Sequence, residues 1–95
     1  MPHPKKIILH CPEGATPGLE ALVEEFIRDG VIFVGVVGPD CAKVGDIIDE
    51  IVVGDGRRGY FMLTSSHPQE TVAEALAFAA ALTGEFAGPA QVVEL

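Results

Sequence analysis

Tryptophan is absent from the chain, which carries one tyrosine, two cysteines and only six lysines and arginines in 95 residues. Each scarcity excludes something. Cys11 and Cys41 form neither a C-x-x-C nor a C-x-x-H pattern, so zinc-ribbon and thioredoxin-type spacings are both missing. Two isolated thiols fit a reducing compartment in which both stay unpaired. Six basic residues stand against 14 acidic ones, for a formal net charge of -8, and the only adjacent basic pairs are Lys5-Lys6 and Arg57-Arg58. A phosphate backbone would be repelled, so nucleic acid is not an expected partner. No apolar run approaches the ~18 residues of a membrane span, and the stretch KKIIL is too short for the apolar segment of a signal peptide. The expectation is a cytoplasmic protein with no membrane partner.

What is there is an ordinary globular composition, 48% hydrophobic and 21% charged, too apolar for a disordered chain. A chain of this length supports one core, and residues 1–95 are expected to form one domain.

The patterning alternates between two periods. The run KKIILH (5–10) has the continuous apolar character of a strand buried on both faces. Thr16-Pro17 offers a helix start, Leu19, Leu22, Val23, Phe26 and Ile27 recur at helical spacing, and Gly30 supplies a left-handed stop. VIFVGVVG (31–38) is a second buried strand. Val44, Ile47, Ile48 and Ile51 predict a second helix from Cys41 to about Val53, although EIVVGDGRRGYFML also has the form of a hairpin. YFMLTSS (60–66) predicts a third strand and HPQETVAEALAFAAALTG (67–84) a third helix. Its start carries Pro68, Ser66 or His67 as the cap, and Glu70 placed to interact with the first turn. AQVVEL closes the chain as a fourth strand.

The order β-α-β-α-β-α-β implies an α/β domain with a mainly parallel sheet and right-handed crossovers. The preferred strand order is 2-1-3-4, the flavodoxin-like pattern, with the first helix alone on one face and the second and third on the other. One helix cannot cover four strands, and the third helix is rich in alanine on the side that ought to be polar, at Ala73, Ala77, Ala80 and Ala81. Both features lean toward a homodimer, against the plainer reading that alanine is the best helix former.

In such sheets ligands bind beyond the carboxyl ends of the strands. The candidate ligand-binding residues are therefore His10 and Cys11 after the first strand, Asp40 and Cys41 after the second, and Ser65, Ser66 and His67 after the third, beside Thr64. Cys11 and His67 are the candidates for catalysis. The plain alternative is that polar groups collect at strand ends in every protein of this class. A zinc-type set of Cys11, Cys41, His67 and either His10 or Asp40 requires three loops to converge, and no metal ligand is assigned. No cofactor is expected, because no Walker loop, G-x-G-x-x-G or G-x-S-x-G is present and GDGRRG precedes a strand. His3, in a Pro-bounded terminus taken as flexible, receives no role. The acidic residues Asp40, Asp46, Asp49, Glu50 and Asp55 match no EF-hand spacing and read as a solvated helix face.

The stretch KKIILHCPEGATPGL resembles the start of the IIB subunits of sugar phosphotransferase systems, small four-stranded α/β domains in which a cysteine after the first strand receives a phosphoryl group. Cys11, Gly14 and Thr16 match that pattern. Glu13, Pro12 and Pro17 depart from it, since a carboxylate repels phosphate and prolines remove N–H donors. The resemblance implies a Cys11-centred phosphocarrier or thiol enzyme. The residues themselves favour a noncatalytic binding or regulatory module with a protein or small ligand at the carboxyl edge, and a metal-binding regulator is the third reading.

Overall fold

The computed structural model describes residues 3–54 and 59–95, apart from the side chain of Glu85. Along the chain lie β1 (Lys6–His10), α1 (Leu19–Asp29), β2 (Phe33–Val37), α2 (Cys41–Val53), β3 (Leu63–His67), α3 (Val72–Ala80), a 3-10 turn (Gly84–Phe86) and β4 (Gln91–Glu94). The alternation of strands and helices expected from the patterning is present. All three strand pairings are parallel, so the hairpin alternative is excluded, and α2 does run to Val53. The centre of the Gly-rich turn, residues 55–58, lies outside the described residues.

The strand order is β3-β2-β1-β4, which corrects the flavodoxin-like 2-1-3-4 expectation. The reason is visible in the strands themselves. Every residue of β2 (FVGVV) is buried, and β1 (KIILH) is buried except at its last position, so these two occupy the centre. β3 (LTSSH) and β4 (QVVE) are partly exposed and take the edges. The rejected order would have put β3 inside the sheet, with Thr64 and Ser66 on a face that must be apolar.

Strand order also redistributes the helices, because right-handed crossovers made in the same direction land on the same face. The steps from β1 to β2 and β2 to β3 go one way, so α1 and α2 lie side by side, and the return from β3 to β4 puts α3 alone on the opposite face. The core is divided accordingly. Ile7, Leu9, Val34 and Val36 face Leu19, Val23 and Phe26 of α1 and Val44, Ile48 and Val52 of α2. Ile8, Phe33 and Val37 point the other way, toward Ala75 and Ala79. This is the period-2 alternation of a strand between two helical layers.

Small alanines on the inner side of α3 let that helix lie close to β1 and β2. Leu82, Phe86, Ala90 and Val92 extend its layer. Toward β3 the cover runs out, and Phe61, Leu63 and Phe78 remain 63%, 38% and 44% exposed. Lys6 is buried beneath α3, where its ammonium donates to the Ala79 carbonyl in the last turn and supplies the positive end-charge that the helix lacks in its own sequence. Burial holds that ammonium below the usual lysine range.

Helix boundaries differ from the sequence reading at the start of α1 and at both ends of α3, which stops at Ala80, short of Gly84. α3 starts at Val72, capped by Thr71, whose hydroxyl accepts from the Glu74 N–H while the Glu74 carboxylate accepts from the Thr71 N–H. Neither Ser66 nor His67 is the cap, because β3 continues through both. Thr71 with Glu74 is a capping box that the sequence displays openly. α1 likewise begins later than Thr16, with Gly18 at its N-cap and no side-chain cap; its Gly30 stop is left-handed as expected.

Candidate functional site

Because the sheet is parallel, the carboxyl ends of all strands share one edge, and on the α3 side of that edge there is a cleft of about 460 Å³. It extends from His10, over Val37–Pro39 at the end of β2, to His67 and the turn Pro68–Thr71 that leads into α3. The chain reverses its direction of travel between β1 and β4, not between the first and third strands as the expected order required. His10 pairs with Glu94 across that boundary in the sheet register. Its Nδ1 lies 2.7 Å from Glu94 Oε2, so an imidazole–carboxylate pair sits at the switch point.

At the other end of the cleft His67 is 4% exposed, and both ring nitrogens are engaged. Nδ1 lies 3.1 Å from Glu70 Oε2, and Nε2 lies 2.7 Å from Ser65 Oγ. A carboxylate can only accept, so Nδ1 carries a proton toward Glu70, and in the neutral ring Nε2 accepts from the Ser65 hydroxyl. Room for this arrangement comes from Gly35 on the adjacent strand: a Cβ there would lie 3.3 Å from His67 Nε2 and 3.4 Å from Ser65 Oγ. The Phe78 ring meets the imidazole edge-on at a centroid distance of 5.1 Å.

The seven rim candidates therefore separate. His10 and His67 line the cleft, and Ser65 holds His67 from within the sheet face. Cys11 and Cys41 belong to the core on the opposite face, each 1% exposed. Ser66 also points that way and donates to the Cys41 carbonyl at 3.4 Å. Asp40 is exposed at the start of α2, close to Gly14, where a Cβ would stand 3.0 Å from its Oδ2. The Cys11 thiol is pushed up to about 11 from 9.0, by burial first, then by Cys41 and Glu94. Both thiols are free. The cysteine–histidine set weighed for zinc does not assemble, being divided by the sheet. Among the described residues the group of three or more ligand-type side chains whose donor atoms gather is instead His3, Glu25 and Asp29.

Sequence reasoning placed Pro68 and Glu70 at the start of the third helix rather than in the site, and it missed Gln69, Thr71 and Glu94. Glu70 was legible in principle, since a residue three positions beyond His67 across a Pro-containing turn folds back toward it. Glu94 was not, because its partnership with His10 exists only once β4 is known to lie beside β1.

These features define the class of protein: a small α/β domain with an all-parallel four-stranded sheet and a cleft of mixed polar and apolar lining at its carboxyl edge. Residues 2–93 match the family described as Domain of unknown function (DUF7684), and the chain belongs to that family. No curated protein matches it, and no solved structure does.

Proposed function

We propose that this protein is a noncatalytic binding module that takes a small ligand in the carboxyl-edge cleft. The observation that carries this reading is the pair of imidazole–carboxylate contacts, His10–Glu94 and His67–Glu70, at opposite ends of one cleft. The Glu94 contact orients the partly exposed His10 ring and the Glu70 contact ties the turn 68–71 to the buried His67, so the His10 ring and the polar groups of that turn are presented in a defined geometry before a ligand arrives. The Glu70 carboxylate in the cleft wall and the Glu94 carboxylate paired with His10, within a chain of net charge -8, disfavour an anion despite the nearby N-terminus of α3. The ligand class is a neutral or cationic small molecule with hydrogen-bonding groups.

Catalytic readings lack an available group. A phosphocarrier needs a thiolate open to a phosphoryl donor, whereas Cys11 is buried, raised in pKa and on the wrong side of the sheet. Ser65, His67 and Glu70 are connected in the order of a hydroxyl–imidazole–carboxylate relay. Yet Ser65 is in the middle of β3 and does not line the cleft, so a substrate held there would not meet its hydroxyl.

The test is a backbone amide NMR titration with a set of small amines, amides and carboxylates. Shifts gathered on Gly38, Gln69, Glu70 and Thr71 with amines or amides, and lost in His10→Ala, are expected. Carboxylates alone producing those shifts would reverse the charge argument, and rapid labelling of Ser65 by a fluorophosphonate would end the noncatalytic reading.

A further inference from the structure

The opposite edge of the sheet holds a second constellation, unrelated to the cleft. His3 precedes β1, while Glu25 and Asp29 lie one turn apart at the end of α1, which runs back against the strands and so ends at the same amino edge. Asp29 Oδ2 lies 2.7 Å from His3 Nδ1 and 3.0 Å from the His3 main-chain N–H nitrogen. Glu25 Oε1 is 3.7 Å from the same ring nitrogen. The His3 ring stands edge-on against Phe26 at 4.9 Å, which fixes its plane. Thus His3, expected to be a loose terminus, is held by contacts to three residues, Asp29, Glu25 and Phe26.

We propose that His3, Glu25 and Asp29 form a binding site for a divalent transition-metal ion of the zinc, cobalt or manganese class. One imidazole nitrogen and two carboxylates form a mixed donor set that suits such ions, with water completing the coordination. The spacing fits as well. Donors about 2.1 Å from a metal stand roughly 3.0 to 3.4 Å apart when adjacent in octahedral or tetrahedral geometry. Here one donor from each residue lies within 4.8 Å of the others, with the two histidine separations at 2.7 and 3.7 Å on either side of the ideal. The short one is a hydrogen bond whose proton a metal would displace, opening that edge by a few tenths of an ångström.

The surroundings are consistent with a cation. Glu25 and Asp29 sit in the final turn and a half of α1, where unpaired carbonyls add negative potential. Besides the His3 ring itself, Arg28 is a neighbouring positive charge acting on Asp29. The site is partly shielded, with side-chain exposures of 14% for His3, 20% for Asp29 and 48% for Glu25. Water and an ion can enter past Glu25, while His3 and Asp29 form the fixed wall.

Cobalt(II) titration of the purified full chain tests the proposal, because coordination by an imidazole changes the visible absorption of the ion. The expected result is a saturable one-to-one change, reversed by zinc, with zinc also raising the melting temperature. His3→Ala abolishes both effects. Since that variant also loses the contacts to Asp29, Glu25→Gln is the decisive second variant: it leaves the His3–Asp29 pair in place and weakens cobalt at least tenfold. Absence of a saturable cobalt signal, or cobalt binding by either variant as tight as that of the parent, overturns the proposal. Stabilisation by calcium equal to that by zinc would also overturn it, by assigning the effect to charge screening of an acidic protein.

Discussion

Cys11 offers the sharpest check on how this structure disposes its chemistry. Its thiol is 1% exposed and pushed up to about 11 from 9.0. At pH 7 that leaves about one thiolate in ten thousand, roughly a hundredfold fewer than an unperturbed thiol of the same reference value. Iodoacetamide attacks thiolates, so labelling of Cys11 in the native protein should be less than about 1% as fast as that of a free cysteine peptide, before any further slowing by burial. Digestion and mass spectrometry separate Cys11 from Cys41, and urea should release both for rapid labelling. The same shift has a consequence for stability. Between pH 9 and 11 the unfolded thiol has lost its proton while the folded one retains it, so the unfolded state binds fewer protons and stability falls as pH rises. The loss approaches about 2 to 3 kcal/mol over that window and is absent below it. Cys11→Ala should flatten most of the slope. Tyr60, which burial also raises and whose hydroxyl donates to the Val31 carbonyl, adds to the fall, while Lys6, which burial lowers, opposes it. Rapid modification of Cys11 at pH 6 by the folded protein would refute the reasoning and restore the thiol as a candidate nucleophile.

Other outcomes follow from local geometry. Thr71→Ala removes half of the α3 capping box and should cost about 1 kcal/mol, read as a lowering of the melting temperature by about 4 to 8 °C; an unchanged value would place the start of α3 elsewhere. Gly38→Ala puts a Cβ 2.1 Å from the Cys11 carbonyl oxygen at a φ of 143°, and should abolish folding in a circular-dichroism melt. Gly18→Ala, with nothing within 4 Å of the added carbon, should stay within about 0.5 kcal/mol of the parent in the same measurement.

The chain's own pattern determined the local elements. Apolar runs without polar interruption predicted β1 and β2, the Leu19–Ile27 periodicity predicted α1, and Gly30 its left-handed end, because each rests on interactions between residues near in sequence. One non-local fact was also written there and went unread: β3 is LTSSH, too polar for the interior of a sheet, and that composition alone argues for an edge position. With β3 at the edge and β1 and β2 central, α1 and α2 must share a face and α3 must stand alone.

The site was decided differently. That polar strand ends meet at one edge follows from parallel topology, so His10 and His67 could be nominated from the sequence. Which of their neighbours join them could not, because successive residues of a strand point to opposite faces. His10 and His67 open into the cleft, while Cys11 and Cys41 enter the other core. Glu94 reaches His10 only because β4 returns beside β1, and His3 meets Asp29 only because α1 runs antiparallel to the sheet. Contacts of that kind depend on which distant segments the packing brings together, and periodicity along the chain holds no record of them.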